Sequence, residues 1–385
     1  MMFGSTGLTL TAVGTTAVCL LTMAVAHGQT AAAERPPMAE EVFKNVQILK
    51  GIPVNEFMET MGFFSASVGG DCGYCHVAEA GGNWAKYADD DNPLKVTSRR
   101  MMRMMSAINT ANFSGRQVVT CYTCHRGSSR PRVTPNLTAL YGTPSLEESN
   151  DVITAAPGAP PTDQILDKYI QAIGGAGRLA TFTSFVGKGT YQGYDDIEKV
   201  PFEVFAKAPN QRATIVHTQD GDSTTSYDGR AGWTAAPESL RPVPVLALAG
   251  GDLDGVRLDA ELSFPARLKQ ALGQWRVGFP TTIDDRDVQV VQGTGAGGVL
   301  ATLYFDRESG LLVRLQRYAD SPVGRIPTRV DFADYREVSG VKIPFQWKVT
   351  WLDGRTTIEL SDVQPNVPID AAKFAKPATP TPPRR

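Results

Sequence analysis

Two copies of one pentapeptide, Cys-x-x-Cys-His, stand in the first third of the chain, at residues 72–76 and 121–125. The chain has only five cysteines and four histidines. The two motifs contain every cysteine except Cys19 and half of the histidines. Residue types this scarce seldom fall into such a pattern twice by chance, so the pair is a strong signal for chemistry.

The spacing within each motif fits covalent attachment of haem. Two thiols three positions apart can form thioethers with the two vinyl groups of one haem, and the adjacent histidine then binds the iron. The sequence therefore predicts two haem c groups, each with its iron. The predicted attachment residues are Cys72, Cys75, Cys121 and Cys124, and the predicted proximal ligands are His76 and His125.

Three other uses of paired cysteines fit less well. A zinc site of this type would place its two pairs about 15–20 residues apart, whereas Cys75 and Cys121 are much farther apart. A thioredoxin-like redox pair needs a βαβ context, which this region lacks. Two structural disulfides would not require a histidine after each pair.

The sixth iron ligand decides whether a haem carries electrons or binds small molecules. The other two histidines, His27 and His217, lie outside this region, but methionines are plentiful beside both motifs. They are Met58, Met61, Met101, Met102, Met104 and Met105. Most of them must be core residues on helical faces, yet their position favours one thioether ligand on each iron. Such Met/His ligation raises the reduction potential and suits an electron carrier.

Residues 35–130 are predicted to form short helices separated by loops. Apolar residues at helical spacing predict helices over residues 42–49 and 54–65, and a third that begins near Thr97 as N-cap. The predicted inner side of the third helix carries Met101, Met104 or Met105, and Ile108. A helix followed by a loop and a Cys-x-x-Cys-His motif thus occurs twice, as in an internal repeat.

From Phe182 onward the hydrophobic pattern has a period of two residues, which predicts β-strands. The predicted strands are residues 184–192, 202–208, 212–218, 223–227, 299–306, 311–318, 328–335, 342–351 and 355–361. Turn sequences such as Asp353-Gly354 join them as hairpins, so the pairing is predicted to be antiparallel. A helix capped by Thr162 precedes the strands, and one helical insertion is predicted at residues 264–272.

The predicted fold class is therefore α + β with more than one domain. A small helical diheme cytochrome domain would be followed by a curved antiparallel sheet with a few helices. The predicted segments are a leader or anchor at 1–34, the cytochrome domain at 35–130, a Pro-rich linker at 131–161, the β domain at 162–376 and a disordered tail at 377–385.

The first segment predicts export. Met1 to Ala33 carry no charged side chain, and the apolar run ends in the small residues Ala24, Ala26 and Gly28, as before a signal-peptidase site. The alternative is an uncleaved membrane anchor, because about 20 apolar residues can span a bilayer. In both cases the rest of the chain is predicted to be periplasmic. The net charge of −2 does not suggest a nucleic-acid partner.

The haem-motif region resembles the cytochrome c subunit of bacterial photosynthetic reaction centres. The matching stretches are Glu56-Phe57 with Thr60-Met61, Arg99-Arg100-Met101, and residues 119–127 around the second motif. The resemblance implies Met61 as the partner of His76 on one iron and Met101 as the partner of His125 on the other. Members of that family generally carry four haems, and this chain has two motifs and lacks the family's additional histidine before the second one.

The second half of the chain more loosely resembles the lipoprotein-carrier (LolA-like) fold. The resemblance is carried by residues 169–175, by Gly187-Lys188-Gly189, and by the hairpin from residues 303–306 to 311–313. It implies a half-barrel whose concave face can hold an acyl chain, so an apolar ligand is a candidate partner. Because an apolar interior is normal for any domain, the sequence favours a filled core that scaffolds or docks.

The β region offers little for catalysis. Its acidic clusters fall in predicted turns, where aspartate is common for conformational reasons, and His217 alternates with apolar neighbours on a predicted strand. We assign them no role and expect no enzymatic activity.

The sequence thus predicts an exported diheme cytochrome that passes single electrons between membrane-bound and periplasmic redox proteins. One alternative is a peroxidase-like enzyme in which one iron is open. Another is an apolar-ligand-binding β domain with an accessory haem module.

Overall fold

The computed structural model describes residues 35–77, 80, 83–142, 152–194, 197–239 and 241–380. The predicted leader at 1–34 and the end of the predicted tail lie outside these ranges. No helix within them is long and apolar enough to cross a membrane.

Helices make up most of the regular structure before residue 142. Their bounds are α1 Ala39–Val42, α2 Val54–Val68, α3 Cys72–Cys75, α4 Pro93–Phe113, α5 Cys121–His125 and α6 Leu137–Tyr141. The long helix α4 begins earlier than predicted from Thr97, because Asn92 caps it. The Asn92 side chain accepts a hydrogen bond of 3.0 Å from the Leu94 N–H, which satisfies a donor that the first helical turn leaves open.

The helix predicted over residues 42–49 is wrong. Helix α1 ends at Val42 because Phe43 is extended and Asn45 takes a positive φ of 60°. Leu49 is nevertheless buried, in an irregular segment. The apolar spacing of this segment therefore reflects burial rather than helical periodicity.

The buried stripe of α4 also differs from the predicted one. It carries Arg99, Met102, Met105 and Asn109, which follow one another at three- or four-residue spacing. Met104 is 49% exposed, and Met101 and Ile108 are half-buried beside the stripe. Met101 is thus on the helix but outside its main packing surface.

Strands dominate the second half of the chain. Their bounds are β1 Ser184–Gly193, β2 Val200–Lys207, β3 Gln211–Thr218, β4 Gly221–Tyr227, β5 Gly232–Ala235, β6 Val245–Ala247, β7 Leu272–Val277, β8 Thr281–Ile283, β9 Arg286–Gly295, β10 Leu300–Asp306, β11 Leu312–Ser321, β12 Gly324–Val338, β13 Val341–Trp351 and β14 Gly354–Pro365. The helices of this half are α7 Thr162–Ala172, α8 Gly175–Thr181, α9 Gly250–Leu262 and α10 Leu268–Ala271.

These strands form one antiparallel sheet that stays open. Its order runs β6-β5-β4-β3-β2-β1-β14-β13-β12-β11-β10-β9-β7, with β8 paired to β9. The first strand therefore pairs with the last one, and Phe185 faces Pro365 in register. Almost every other neighbour pair along this order is consecutive in sequence, as expected for a series of hairpins. The predicted fold class, a helical segment followed by an antiparallel sheet, is confirmed.

The helical insertion predicted at residues 264–272 is present but short, and a longer helix that was not predicted precedes it. The main helix is α9 at Gly250–Leu262, and residues 265–271 form only a short 3-10 turn and the single turn α10. Apolar spacing did not predict α9, because the helix begins with glycines. The following strand β7 then begins at Leu272, and the strands β5 to β9 were likewise outside the predicted set.

Helices α7 and α8 cover one face of the sheet. Leu166, Tyr169 and Ile173 of α7 are buried against sheet residues such as Leu303 and Phe305. The Tyr169 and Phe305 ring centroids are 5.2 Å apart, an aromatic contact that adds to the burial of apolar surface.

The helical segment shares a hydrophobic core with the β11–β12 hairpin. Phe63 of α2 and Met105 of α4 lie in one cluster with Val323 and Ile326 of the hairpin. Gly324 makes this approach possible, because a Cβ there would lie 2.8 Å from Phe63 Cζ and 3.1 Å from Thr120 Cγ2. The segment that carries both Cys-x-x-Cys-His motifs is thus packed against the sheet.

We predict that Gly324→Ala lowers the free energy of unfolding by about 1–3 kcal/mol, because the added methyl overpacks the contact with Phe63. The φ of 146° at Gly324 adds backbone strain for any other residue. Urea unfolding followed by circular dichroism measures the change. The matched control is Gly273→Ala, where a Cβ meets nothing within 4 Å. Equal effects of the two substitutions would contradict this assignment.

Candidate functional site

Each Cys-x-x-Cys-His motif begins with a single capped helical turn. In α3 the Asp71 side chain accepts a 3.1 Å hydrogen bond from the Tyr74 N–H. In α5 the cap is Thr120, whose hydroxyl accepts from the Thr123 N–H at 3.3 Å. Residues three apart lie on the same side of a helical turn. The fold therefore places both sulfurs of each pair on one side.

Both motif histidines have the same ring nitrogen occupied by a backbone carbonyl. His76 Nδ1 lies 3.1 Å from the Tyr87 carbonyl oxygen, and His125 Nδ1 lies 2.9 Å from the Ser128 carbonyl oxygen. Because a carbonyl can only accept, each Nδ1 must carry the proton and donate it. Each Nε2 then keeps its lone pair, which is the tautomer that an iron ligand needs.

The environment of His76 also favours the neutral imidazole. Burial lowers the pKa of His76, and the nearby Lys95 ammonium lowers it further. Lys95 donates to the same Tyr87 carbonyl at 2.8 Å and pairs with Asp90 at 3.2 Å. Arg99 pairs with Asp90 as well, at 2.8 Å, and holds the pKa of that carboxyl well below its usual range. This ion cluster fixes the loop that supplies the carbonyl to His76.

The four cysteines carry no disulfide within the described residues, and Cys72 and Cys124 are exposed. Burial raises the pKa of the Cys75 thiol, and it raises the pKa of the Cys121 thiol to about 11. Reactive dithiols need the opposite shift. Nor do three or more His, Cys, Asp or Glu side chains of the described ranges form a group that could hold a metal ion. The donor set fits covalent haem better than zinc or a redox dithiol.

Residues that flank the two motifs contact each other through their backbones. The Gly127 N–H, just after the second motif, donates to the Ser67 carbonyl at 2.9 Å. A Cβ on Gly69, just before the first motif, would lie 2.4 Å from the Gly127 carbonyl oxygen. Both glycines take positive φ values, 67° and 73°. Only glycine combines this conformation with so close an approach.

The candidate methionine ligands lie on the two long helices. Met61 of α2 is half-buried at the border of the shared core, and Met101 of α4 is half-buried next to the stripe described above. Met102 and Met105 are core residues, whereas Met58 is 38% exposed. The spacing of the methionines could not distinguish these environments, because all six occur within two short stretches.

One contact between the helical segment and α9 involves ionisable groups. Burial and the neighbouring Asp252 carboxylate raise the pKa of Glu59 to about 9. This shift favours the protonated form of Glu59, which can donate a hydrogen bond to Asp252. The Asn55 side chain donates to the Ala249 carbonyl at 2.9 Å and to Asp252 at 3.1 Å. These polar contacts tie α2 to the start of α9.

A cavity of about 1120 Å³ lies within the β region. Its aromatic wall includes Phe182, Phe185, Phe202, Phe264, Phe332 and Trp347. The β region also has the filled apolar core that the sequence favours, and residues such as Phe185 and Phe202 belong both to this core and to the lining of the cavity. Sequence spacing does not separate the two roles, because lining residues and core residues are of the same apolar types. Typical small-molecule sites have volumes of about 300–1,000 Å³, so the cavity is large enough for a ligand.

Two arginines line the same cavity. Arg212 is half-buried and Arg241 is exposed, and an arginine stays charged in proteins. The Arg212 guanidinium donates to Ser263 Oγ at 3.1 Å and lies 5.0 Å from the centre of the Trp347 ring. The cavity lining thus combines apolar walls with the cations Arg212 and Arg241 and with the carboxylates Glu198, Asp220 and Asp259.

His217 makes contacts typical of a structural histidine. Its Nδ1 lies 2.7 Å from Asp222 and its Nε2 lies 3.5 Å from Glu203. Asp284 and Asp285 occupy the turn between β8 and β9 with positive φ values. Aspartate tolerates this conformation well, so the turn accounts for the acidic cluster.

Residues 2–141 match the family model of the photosynthetic reaction centre cytochrome c subunit. This resemblance, predicted from the motifs, is confirmed. The cytochrome c subunit of Thermochromatium tepidum is 44% identical over 100 residues, which are 25% of this chain and 23% of that protein. The subunit of Rubrivivax gelatinosus is 38% identical over 100 residues, 25% of each chain. The chain spans about a quarter of the length of these relatives.

Solved structures similar to this chain match the β region. A LolA superfamily protein from Nitrosomonas europaea is 16% identical, with a TM-score of 0.39, and the match covers 57% of this chain and 99% of that one. A DUF1329 family protein from Desulfovibrio piger is 13% identical, also with a TM-score of 0.39, and the match covers 56% and 98% of the two chains. The strand pairing itself establishes the open antiparallel sheet.

Proposed function

We propose that this chain is an exported diheme c-type cytochrome that carries single electrons between membrane-bound and periplasmic redox proteins. The observation that carries the proposal is the pair of Nδ1–carbonyl hydrogen bonds, at His76 and at His125. They leave each Nε2 with a free lone pair beside two thiols on one helical turn. The match of residues 2–141 to a reaction centre cytochrome family supports a c-type cytochrome in electron transfer.

In this proposal the chain's residues bind each haem and set the reduction potential of its iron. The iron would supply the one-electron chemistry by changing between its ferrous and ferric states. Cys72 and Cys75 would bind one haem, and Cys121 and Cys124 the other. Met61 and Met101 would complete the coordination opposite His76 and His125, as in the family that the sequence resembles. Because the relatives are reaction centre subunits, we expect a membrane-bound redox partner. The segment at 1–33 carries no charge, so the proposal includes export to the periplasm or anchoring by this segment.

The number of haems is tested by removing one cysteine pair at a time. Cys72→Ala/Cys75→Ala and Cys121→Ala/Cys124→Ala should each halve the covalently bound haem per chain, because each pair holds one haem. Mass spectrometry of the denatured protein measures the haem that stays attached. Cys19→Ala is the control and should change nothing. If either double variant kept two haems, the assignment would be wrong.

The axial role of the methionines is tested by Met61→Ala and Met101→Ala. Each should abolish the methionine-to-iron absorption of one haem and lower its reduction potential, on the order of 0.1 V within the ~0.8 V that axial ligands span. Spectroelectrochemical titration of each variant measures both. Met58→Ala and Met104→Ala, at exposed positions of the same two helices, are matched controls. Equal shifts in the controls, or no shift at Met61 and Met101, would refute this ligand set.

A second candidate function is binding of an apolar ligand by the β domain. The observation that favours it is the cavity of about 1120 Å³ with an aromatic wall and the arginines Arg212 and Arg241. A half-buried Arg212 and an exposed Arg241 beside apolar side chains suit an amphiphile with an anionic head.

We predict that the protein binds a long-chain fatty acid and that Phe332→Trp weakens this binding about tenfold or more by filling the cavity. Phe332 is partly buried and lines the cavity. Fluorescence titration with a labelled fatty acid and native mass spectrometry measure the affinity. Phe279→Trp, at a 56% exposed position outside the cavity, is the control. Absence of binding to the unaltered protein would remove this candidate without affecting the cytochrome assignment.

A further inference from the structure

Charge is distributed unevenly along the segment that carries the two motifs. The whole chain has a net charge of −2, yet no Asp or Glu occurs between Asn92 and Leu146. The same stretch contains Lys95, Arg99, Arg100, Arg103, Arg116, Arg126, Arg130 and Arg132. In contrast, acidic residues outnumber basic ones between Arg35 and Asp91. The second motif therefore lies in a basic stretch, and the first motif in an acidic one.

Most of these cations are not neutralised by the fold. Lys95 and Arg99 pair with Asp90, but the other six are exposed. None of those six makes an ion pair with any residue that the structure describes. Their charges therefore act on whatever approaches the protein from solution, over about the 8 Å Debye length of physiological salt.

Three of the exposed arginines border the second motif itself. The segment after the motif folds back on it, because the Arg132 N–H donates to the Cys124 carbonyl at 3.0 Å and the Ser128 carbonyl accepts from His125. The Arg126 side chain bonds the Thr123 carbonyl at 3.4 Å. Arg126, Arg130 and Arg132 are thus held on a segment anchored to the motif. We call the three arginines, with Tyr122, the basic face.

The basic face also has features of a protein-binding surface. The Tyr122 side chain is 54% exposed in the middle of the motif. Tyrosine and arginine are enriched among the residues that dominate binding energies at protein interfaces. Transient redox complexes bury little area and depend on charge complementarity for their rate of association.

We propose that the basic face is the docking site for a small redox protein whose redox centre is surrounded by acidic side chains. The inference rests on the proposed electron-transfer function and adds the partner's chemistry. In the docked complex one electron passes between the two proteins, so that one loses an electron as the other gains it, and no proton or bond is exchanged. A membrane of anionic lipid is less well matched, because the face comes from one helical turn and a loop rather than from a long amphipathic helix.

The test compares the holoprotein with Arg126→Glu/Arg130→Glu/Arg132→Glu. The matched control, Lys207→Glu/Arg230→Glu/Arg307→Glu, reverses three exposed cations of the β region. The probes are an acidic blue copper protein and a basic small cytochrome. Binding is measured by calorimetry, and the electron-transfer rate by stopped flow, at low and at physiological salt. Arg130→Glu/Arg132→Glu is a second variant, in case substitution next to His125 disturbs folding.

We expect the acidic probe to bind the unaltered protein and the control, with rates that fall as salt rises. The triple variant should lose about tenfold or more in both affinity and rate at low salt, and the double variant should lose part of this. Equal affinities in all variants, or preference for the basic probe, would overturn the proposal. Binding to vesicles containing anionic phosphatidylglycerol, without any effect of the acidic probe, would overturn it too.

A small uncharged electron mediator separates this proposal from the function on which it rests. If every variant exchanges electrons with the mediator but none distinguishes the two protein probes, only the docking site is wrong. If the unaltered protein exchanges no electrons even with the mediator, the electron-transfer function itself fails.

Discussion

The structure around both haem motifs depends on the contact between Gly69 and Gly127. Because neither residue has a side chain, the end of α2 and the residues after the second motif meet backbone to backbone, with the Gly127 N–H bonded to Ser67. Any larger residue at Gly69 would collide with the Gly127 carbonyl. The first motif begins three residues after Gly69, and the second ends two residues before Gly127. One contact therefore sets the position of both motifs in the same body.

Helix α2 extends this arrangement to the rest of the protein. Its Phe63 packs against Gly324 of the β11–β12 hairpin, and its Asn55 bonds the start of α9. The other end of α9 is followed by Ser263, whose hydroxyl accepts a hydrogen bond from Arg212 in the cavity. Helix α9 thus links the segment that carries the haem motifs to the cavity. This arrangement puts a candidate ligand site and candidate redox centres in one packed structure.

The sequence predicted the chemistry of the site better than its packing. Thiols and imidazoles at fixed spacing are local features, and one helical turn is enough to place Cys72, Cys75 and His76 together. The carbonyl that fixes the His76 tautomer comes from Tyr87, through a loop held by ion pairs, and no short pattern indicates it. Sequence spacing likewise could not decide whether Met101 or Met102 is buried, because the methionines at 101, 102, 104 and 105 fall on more than one side of the helix. The sequence did not reveal the cavity either, because the apolar residues that line it are of the same types as core residues.

In the β region the long alternating strands were predictable because one face of each is buried. Helix α9 was missed because glycines at its start resemble a turn, and tertiary contacts with α2 and with β11 stabilise it instead. The close approach at Gly324 is also a tertiary feature. The need for glycine at position 324 becomes clear only when Phe63 and Thr120 are placed beside it.

The central claim is that both irons are closed electron-transfer centres. The most direct measurement is the visible absorption spectrum of the reduced holoprotein before and after addition of carbon monoxide. The account predicts an unchanged spectrum, because in the proposed ligand set one histidine and one methionine would leave no coordination position of either iron open. A shifted Soret band would show that at least one iron binds an external ligand, which would contradict the account and favour an enzyme with an open haem.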